Sequence, residues 1–229
     1  IINCCIESSY FPLFWKTAVG IPIPKKNNPD SLSDLRVISL LPTLSKIFEK
    51  FIHLQINDYL LLNKLLPDCQ CGFRTGKNTE TALATVTNDI LTAYDQGLST
   101  VLILLDFSKA FDTINHELLC AKLRYYGFDE TSTFLVWNYL LRRTQRVLIN
   151  GSYSSSIDIL SGVPQGSILG PLLFILYTSD ILNSAKSCKV QAYADDTQLY
   201  LSFHAGKADI AENTINNELH NINTLTLSH

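Results

Sequence analysis

Apolar and polar positions along this chain repeat with two different periods, and together they predict a mixed protein of helices and strands. From Pro42 to Leu66 apolar residues recur at Leu44, Ile47, Phe48, Phe51, Ile52, Ile56, Tyr59 and Leu60, the period of a core-facing helix. A second helical face, Leu83, Val86, Ile90 and Tyr94, follows a cap at Asn78 or Thr79 and closes at Gly97. Asn115 is a good N-cap for a helix reaching Gly127, and another helix runs through Trp137 to Leu141. Ile168 to Ile181 reads as an apolar helix, and the spacing of Ile210, Ile215, Leu219 and Ile222 predicts one more near the C-terminal end. Strand-like runs lie between them: Trp15 to Lys26, punctuated by Pro22 and Pro24; Arg36 to Leu40; and the β-rich apolar stretch Val101 to Leu105, of central-strand length. Thr144 to Asn150 begins another, turned by Gly151-Ser152 into Ile157–Leu160, and Cys188 to Ala192 and Gln198 to Phe203 form a final pair.

That final pair flanks Tyr193-Ala194-Asp195-Asp196, which puts two carboxylates at the tip of a β-hairpin. Adjacent acids on a tight turn repel each other, and a cation relieves the repulsion. Turns also favour Asp for local hydrogen bonding, so the dipeptide alone is a weak signal. Asp106 strengthens it, because a third carboxylate ends the buried-looking run Val101–Leu105. Ser161-Gly162-Val163-Pro164-Gln165-Gly166-Ser167 is the second stretch suited to chemistry. Its glycines and proline force a tight bend, Ser167 can cap the helix that follows, and backbone amides there suit a phosphate or a sugar-phosphate backbone. In isolation such a bend is ordinary punctuation. Lys25 and Arg36 can face each other across the hairpin turned by Lys25–Asp30, where lone basic residues are commonly just solvated. Arg74 and Lys77 sit in a glycine-bearing loop, and Arg142, Arg143 and Arg146 cluster at a helix end. That cluster can touch a nucleic-acid backbone or simply be a solvated terminus.

Composition narrows the class. A chain of 229 residues, 46% apolar and 17% charged, can bury a substantial core as one large domain or two small ones and is not a disordered chain. The longest apolar stretch, Pro171 to Tyr177, is too short to span a bilayer, and neither a signal segment nor a lipidation motif is visible. Cys4-Cys5, Cys69, Cys71, Cys120 and Cys188 include no CxxC pair and no His at zinc spacing, so reduced thiols in an intracellular protein, nuclear or cytoplasmic, are expected. No Met occurs, which suggests a piece of a longer reading frame. The net charge of −3 is unevenly placed, with nine Lys/Arg against six Asp/Glu in residues 1–77 and nine against fifteen in 78–229. A basic lobe before an acidic one suits a protein that grips phosphates with one part and metal ions with the other.

The order of these features carries a resemblance. Leu105-Asp106-Phe107-Ser108-Lys109-Ala110-Phe111-Asp112, then Ser161 to Ser167, then Tyr193-Ala194-Asp195-Asp196 resemble, in order and spacing, motifs A, B and C of reverse transcriptases. Gly72-Phe73-Arg74 with Asn78 to Leu83, the continuation Thr113-Ile114-Asn115-His116, and Leu169-Gly170-Pro171-Leu172-Leu173-Phe174 look like the LINE-type, non-LTR retrotransposon branch; retroviral enzymes usually carry Met where Ala194 stands. The resemblance covers about Phe11 to Phe203.

The resemblance implies an α+β fold: a right-hand polymerase palm of antiparallel strands backed by helices over residues 78–229, with a fingers subdomain over 1–77 as part of one partial domain. It implies RNA-directed DNA synthesis, with an RNA template, a DNA primer, deoxynucleoside triphosphates and no membrane partner. Asp106 and Asp195 would bind two Mg²⁺ ions, with the Phe107 carbonyl as a further ligand, Asp196 in support and Mn²⁺ as a substitute metal. Two ions roughly 3.5–4 Å apart suit in-line attack of a primer 3′-hydroxyl on the α-phosphate, because one favours the alkoxide and the other the leaving pyrophosphate. Lys25 and Arg36 would hold the triphosphate, Phe111 would stack under the deoxyribose and exclude a 2′-hydroxyl, and Gln165 and Gly166 would contact the incoming nucleotide and template. Asp112 would be structural, satisfying nearby backbone amides. Arg74, Lys77 and Arg146 are the candidate nucleic-acid contacts.

The sequence departs from the family at Tyr177-Thr178-Ser179-Asp180, where Asn usually precedes the Asp. It ends at His229, before the Lys-bearing motif, primer grip and thumb that the family carries next, and holds no endonuclease domain. An assembled metal site with weak or absent processive synthesis is therefore the expectation, since backbone contacts supply much of a polymerase's affinity. The alternative reading is a catalytically silent remnant or RNA-binding module that keeps the fold. An unrelated palm-fold nucleotidyl transferase or cyclase has no need of the Gly162-to-Ser167 loop.

Overall fold

In a computed structural model that describes residues 1–107 and 109–227, seven helices and eight strands follow in the order α1 (Ile2–Glu7), β1 (Thr17–Pro24), β2 (Leu35–Leu40), α2 (Thr43–Leu62), α3 (Thr79–Asp95), β3 (Ser99–Leu105), α4 (His116–Tyr125), α5 (Glu130–Leu140), β4 (Arg143–Ile149), β5 (Ser152–Tyr153), β6 (Ile157–Ile159), α6 (Gly170–Ser184), β7 (Lys189–Tyr193), β8 (Asp196–Phe203) and α7 (Ala208–Leu227). Ser108 of the first motif and the terminal His229 lie outside the described residues. The fold is α+β.

Two compact units share the chain, one made of Ile1–Lys64 with Phe111–Leu176 and the other of Leu65–Ala110 with Tyr177–His229. This division differs from the single boundary at residue 77 expected from the sequence. The physical reason is a strand pairing that periodicity cannot reveal: β1 pairs in parallel with β4, Thr17 opposite Thr144 through Gly20 opposite Val147, and so draws a late segment into the N-terminal unit.

In the first unit the sheet runs β2-β1-β4-β5, with β6 also on β4. Its core is aromatic. Phe11 is fully buried, with its ring centroid 5.4 Å from Phe48, 5.0 Å from Tyr139 and 5.8 Å from Trp15. On α2 the line Phe48, Ile52, Ile56 and Leu60 is buried, whereas Leu44, Ile47 and Phe51 stay exposed, so only half of the predicted apolar face is core.

The arginine cluster at the start of β4 needs correction. Arg143 is buried, not a solvated helix end: its guanidinium lies 4.2 Å from the Tyr139 ring centroid and 5.6 Å from that of Phe11, and its Nε donates to Tyr139 O. Lys16 is buried nearby and donates to Asn138 O and Oδ1; burial first, then the charges of Arg143 and Arg142, pull it down to about 8.

The second unit is a three-stranded antiparallel sheet, β3-β8-β7, with β8 central. One face, carrying Val101, Ile103, Leu105, Val190, Leu199 and Leu201, packs with Ile215 and Ile222 of α7 and with Cys188. On the other, α3 reaches Lys189 and Tyr200 through Asp89, whose Oδ2 accepts from Lys189 Nζ at 2.8 Å and from the Tyr200 hydroxyl at 2.7 Å. The predicted face of α3 is corrected by about one residue: Ala82, Val86 and Ala93 are buried, while Leu83 and Tyr94 are 62% and 75% exposed. Small residues let the helix lie against β3 and β7, which a count of large apolar positions misses. Likewise Ala211, Ile215, Glu218 and Ile222 form the buried line of α7, and Ile210 is exposed. No described helix is long and apolar enough to cross a membrane.

Candidate active site

The second unit holds the three carboxylates. Strands β7 and β8 form the expected hairpin, closed by Tyr193 opposite Asp196, so Ala194 and Asp195 are its two loop residues and Asp196 belongs to the strand. Strand β3 pairs with β8 from Ser99 opposite Phe203 to Leu105 opposite Thr197. The β3–β8 ladder stops at Leu105 and Thr197, so Asp106 and Asp196 are the next residues of the two segments, at the end of the sheet where the hairpin turns. Local sequence alone does not place them there; the β3–β8 ladder does. Asp106 and Asp196 are exposed and Asp195 half-buried, and none of the three carboxylates has a hydrogen bond or ion pair to another described residue. Phe107 packs its side chain into the core beneath β3, which anchors the backbone immediately after Asp106.

Ala194 occupies the left-handed region at φ 58, as the first loop residue of a tight hairpin requires. A residue with a Cβ pays about 1–2 kcal/mol for that conformation. The compensation comes from the Gln70 loop. The Gln70 amide accepts from Ala194 N at 2.9 Å and from Gly72 N at 2.7 Å, and donates to Ala194 O at 3.0 Å. Backbone bonds of 2.8 Å from Cys71 N to Ala192 O and from Ala192 N to Cys69 O align the loop beside β7. Glycine is required at position 72, because an added Cβ would collide with Ala194 N and lie 2.8 Å from its Cα.

Arg74 donates to Pro67 O and Gln70 O, and Lys77 to Asp68 O. Both basic residues thus spend donors on carbonyls of their own loop. Sequence reading singled them out for charge and passed over Gln70 and Asp89. The only signal for Gln70 was its place in a glycine-bearing loop.

The first unit holds the remaining candidates. Lys25 N bonds to Asp34 O and Arg36 lies opposite Ile23, so residues 25 and 36 share one face of the β1–β2 hairpin as diagonal neighbours. Both side chains are exposed, and Lys25 Nζ donates to Ser33 O at 3.0 Å. Phe111 stacks on Phe174, with centroids 4.7 Å apart and planes at 29°, and remains half-buried. Arg146 lies with its guanidinium 4.0 Å from the Tyr153 ring centroid.

Gln165 Nε2 donates to Asp112 Oδ1 at 3.0 Å, so Asp112 orients a side chain of the loop. Gln165 O accepts from Ser39 N at 2.7 Å. Gly166 sits at φ 117, and a Cβ there would meet Ser39 O at 2.6 Å.

The helix start after this loop also needs correction. Ser167 Oγ caps Gly170 N at 2.9 Å, but the amides of Ile168 and Leu169 are already taken by Glu49 Oε2 at 2.8 and 3.3 Å. Glu49 is fully buried and its Oε1 accepts from Ser45 Oγ at 2.8 Å. A carboxylate of the protein therefore occupies the position suggested for a phosphate, and a mid-helix Glu gives no sequence signal of that task.

An α+β chain with a carboxylate-tipped hairpin, paired beside a strand that ends in a third carboxylate, has the architecture of a polymerase palm. Residues 23–228 match the reverse transcriptase (RNA-dependent DNA polymerase) family, and the chain belongs to it. It is 34% identical over 216 residues to a probable RNA-directed DNA polymerase from transposon BS of Drosophila melanogaster, covering 88% of this chain and 23% of that protein. The RNA-directed DNA polymerase from mobile element jockey of the same species is 35% identical over 205 residues, 86% of this chain and 22% of that protein. The chain thus spans about a quarter of the length of these relatives. Among solved structures, apo telomerase from Candida tropicalis, truncated from its C-terminal domain, matches with a TM-score of 0.59 at 18% identity, over 91% of this chain and 48% of that one. This likeness concerns the fold.

Proposed function

We propose that this chain is the catalytic segment of an RNA-directed DNA polymerase of a non-LTR retrotransposon, extending a DNA primer on an RNA template with deoxynucleoside triphosphates. The observation that carries the reading is the register that sets Asp106 beside the Asp195-Asp196 hairpin.

The donor set fits Mg²⁺. It offers hard oxygen ligands without internal partners among the described residues, at an open sheet end. Among the described residues no group of three or more His, Cys, Asp or Glu is gathered closely enough to hold a metal ion by itself, and Mg²⁺ commonly takes one or two carboxylates, keeping its other positions for water and substrate phosphate. Asp106 and Asp195 would hold two ions with the Phe107 carbonyl, with Asp196 in support and Mn²⁺ as a substitute. Bound there, the ions would supply charge stabilisation for the attacking and leaving oxygens.

The chain's own residues would bind and orient. Lys25 and Arg36 present two cations on one hairpin face, suited to a triphosphate, and Arg can add bidentate geometry. Phe111, half-buried on Phe174, would stack under the deoxyribose and exclude a 2′-hydroxyl. Gln165, held by Asp112, and Gly166, which leaves its backbone uncovered, suit contact with nucleotide and template. Arg74, Lys77 and Arg146 are assigned to strand backbones, where such contacts give salt-dependent affinity.

Primer extension on an RNA template with a DNA primer, deoxynucleotides and Mg²⁺ tests the reading. Added nucleotides are expected, with a loss of at least about a hundredfold in Asp106→Asn and Asp195→Asn, because several kcal/mol of charge stabilisation would go. Undiminished extension by Asp195→Asn would refute the site. Silence from this chain and from a longer piece of the same reading frame would favour a module that keeps the fold without the chemistry.

A further inference from the structure

The tip of the carboxylate hairpin is held by a side chain rather than by its own ladder. The last pair of β7 and β8 is Tyr193 with Asp196, so the ladder leaves the N–H and C=O of Ala194 unused. Both go to Gln70, which is fully buried and whose amide serves three partners at 2.7–3.0 Å: Ala194 N, Ala194 O and Gly72 N. The loop that carries Gln70 is fixed in turn. Gln191 Nε2 donates to Cys69 O at 2.9 Å, Arg74 and Lys77 hold its carbonyls, and Gly72 lies against the Ala194 backbone where no Cβ fits. Among hydrophilic side chains of this reach, an amide donates and accepts in one plane, as the two opposed groups of Ala194 require; a carboxylate lacks the donor and an ammonium the acceptor.

We infer that Gln70 is a positioning residue, whose amide clamps the left-handed Ala194 and thereby fixes the direction in which the adjacent Asp195 carboxylate leaves the turn. The inference rests on the reading of Asp195 as a metal-binding carboxylate. Mg²⁺ demands near-ideal geometry, so a turn that rocks about Ala194 presents Asp195 correctly for only part of the time. Outer partners of metal ligands typically govern affinity or activity by about ten- to a hundredfold.

The test uses the whole chain and its Gln70→Leu and Gln70→Glu variants, with amide hydrogen exchange, Mn²⁺ titration followed by electron paramagnetic resonance, and primer extension. In Gln70→Leu, exchange at Ala194 and Gly72 should speed up at least about tenfold while Leu199 in the centre of β8 stays protected, and Mn²⁺ affinity should fall by about tenfold or more. Where extension is measurable, kcat should fall with the KM for deoxynucleotide nearly unchanged. Gln70→Glu keeps the acceptor but donates to Ala194 O only when protonated, so its kcat relative to wild type should rise as pH falls from 8 to 6. A purely structural role gives no such profile.

Unchanged exchange at Ala194, or unchanged Mn²⁺ affinity in a folded Gln70→Leu, overturns the inference. So does loss of Leu199 protection in step with Ala194, which would make Gln70 a general stabiliser. Wild type that binds no more Mn²⁺ than Asp195→Asn overturns the metal-site reading and, with it, the role assigned to the clamp, while exchange at Ala194 still separates that failure from failure of the clamp itself.

Discussion

Removing the Glu49 carboxylate should destabilise the first unit far more than neutralising it. Glu49 is fully buried on α2 and receives Ser45 Oγ on one oxygen and the amides of Ile168 and Leu169 on the other. In Glu49→Ala both amides lose their acceptor, at about 1–3 kcal/mol for each buried donor left unmade, and a cavity replaces the side chain. Relief of the carboxylate's desolvation offsets part of this, leaving a net loss of about 3–5 kcal/mol. Glu49→Gln keeps the volume and one carbonyl oxygen for the amides and turns its –NH₂ to Ser45, so about 1 kcal/mol is expected. Trp15 and Trp137, the two tryptophans of the chain, both lie in this unit, and their fluorescence during urea unfolding reports on it. With a urea slope of roughly 1.5–2 kcal/mol per molar, the midpoint should drop by about 2 M in Glu49→Ala and about 0.5 M in Glu49→Gln. Midpoints of the two variants within 0.3 M of each other, a margin of about half a kcal/mol at that slope, would show that the carboxylate does not hold the start of α6.

The His116 ring nitrogen Nε2 lies 2.8 Å from Gly162 O, and burial chiefly, with the Arg143 charge adding to it, holds the ring below its ordinary 6.5 against the opposing effect of that hydrogen bond. Below 6.5 the unfolded chain takes up a proton that the folded one resists, so stability should fall as pH drops through that value; His116→Gln should flatten the urea-midpoint slope between pH 7.5 and 5.5, leaving the share of His53, which burial also depresses. Phe111→Ala should let ribonucleotides be added along with deoxynucleotides in primer extension, whereas a ring that serves only the Phe174 stack would cost stability without changing sugar choice. Cys4 is exposed while Cys5, Cys71, Cys120 and Cys188 are buried, and burial pushes Cys120 up to about 11, so mass spectrometry after brief iodoacetamide treatment at pH 8 should find Cys4 alkylated first and Cys120 only on unfolding.

How much of this could be read in advance depends on the range of the interaction. The hairpin at Asp195, the caps at Asn78 and Asn115 and the end of a strand at Asp106 were legible because each is set by neighbours a few residues away: alternation, a capping oxygen, a turn. Ordered motifs supplied the family on the same local terms. The buried face of α3 was misjudged by about one residue, since a helix buries whichever side meets the sheet, and Ala82 and Ala93 pack closer than Leu83 or Tyr94 can, whereas on α7 Ile215 and Ile222 are buried as expected and only Ile210 stands outside. Arg143 looked like a surface cation because charge is legible in sequence and the edge-to-face pair of Phe11 and Tyr139 against it is not.

The amino-acid sequence by itself determined the strands, the helices, the three carboxylates and the glycines that free the backbone beside them. Only the tertiary structure decided that β3 runs antiparallel to β8 in the register that brings Asp106 to the hairpin, that β1 recruits β4, that Glu49 fills the helix start after Gly166, and that Gln70 grips Ala194. Those partners are separated by about 90 to 130 residues, and pairing over such distances is fixed by burial and hydrogen-bond satisfaction of the whole chain, which no local window contains.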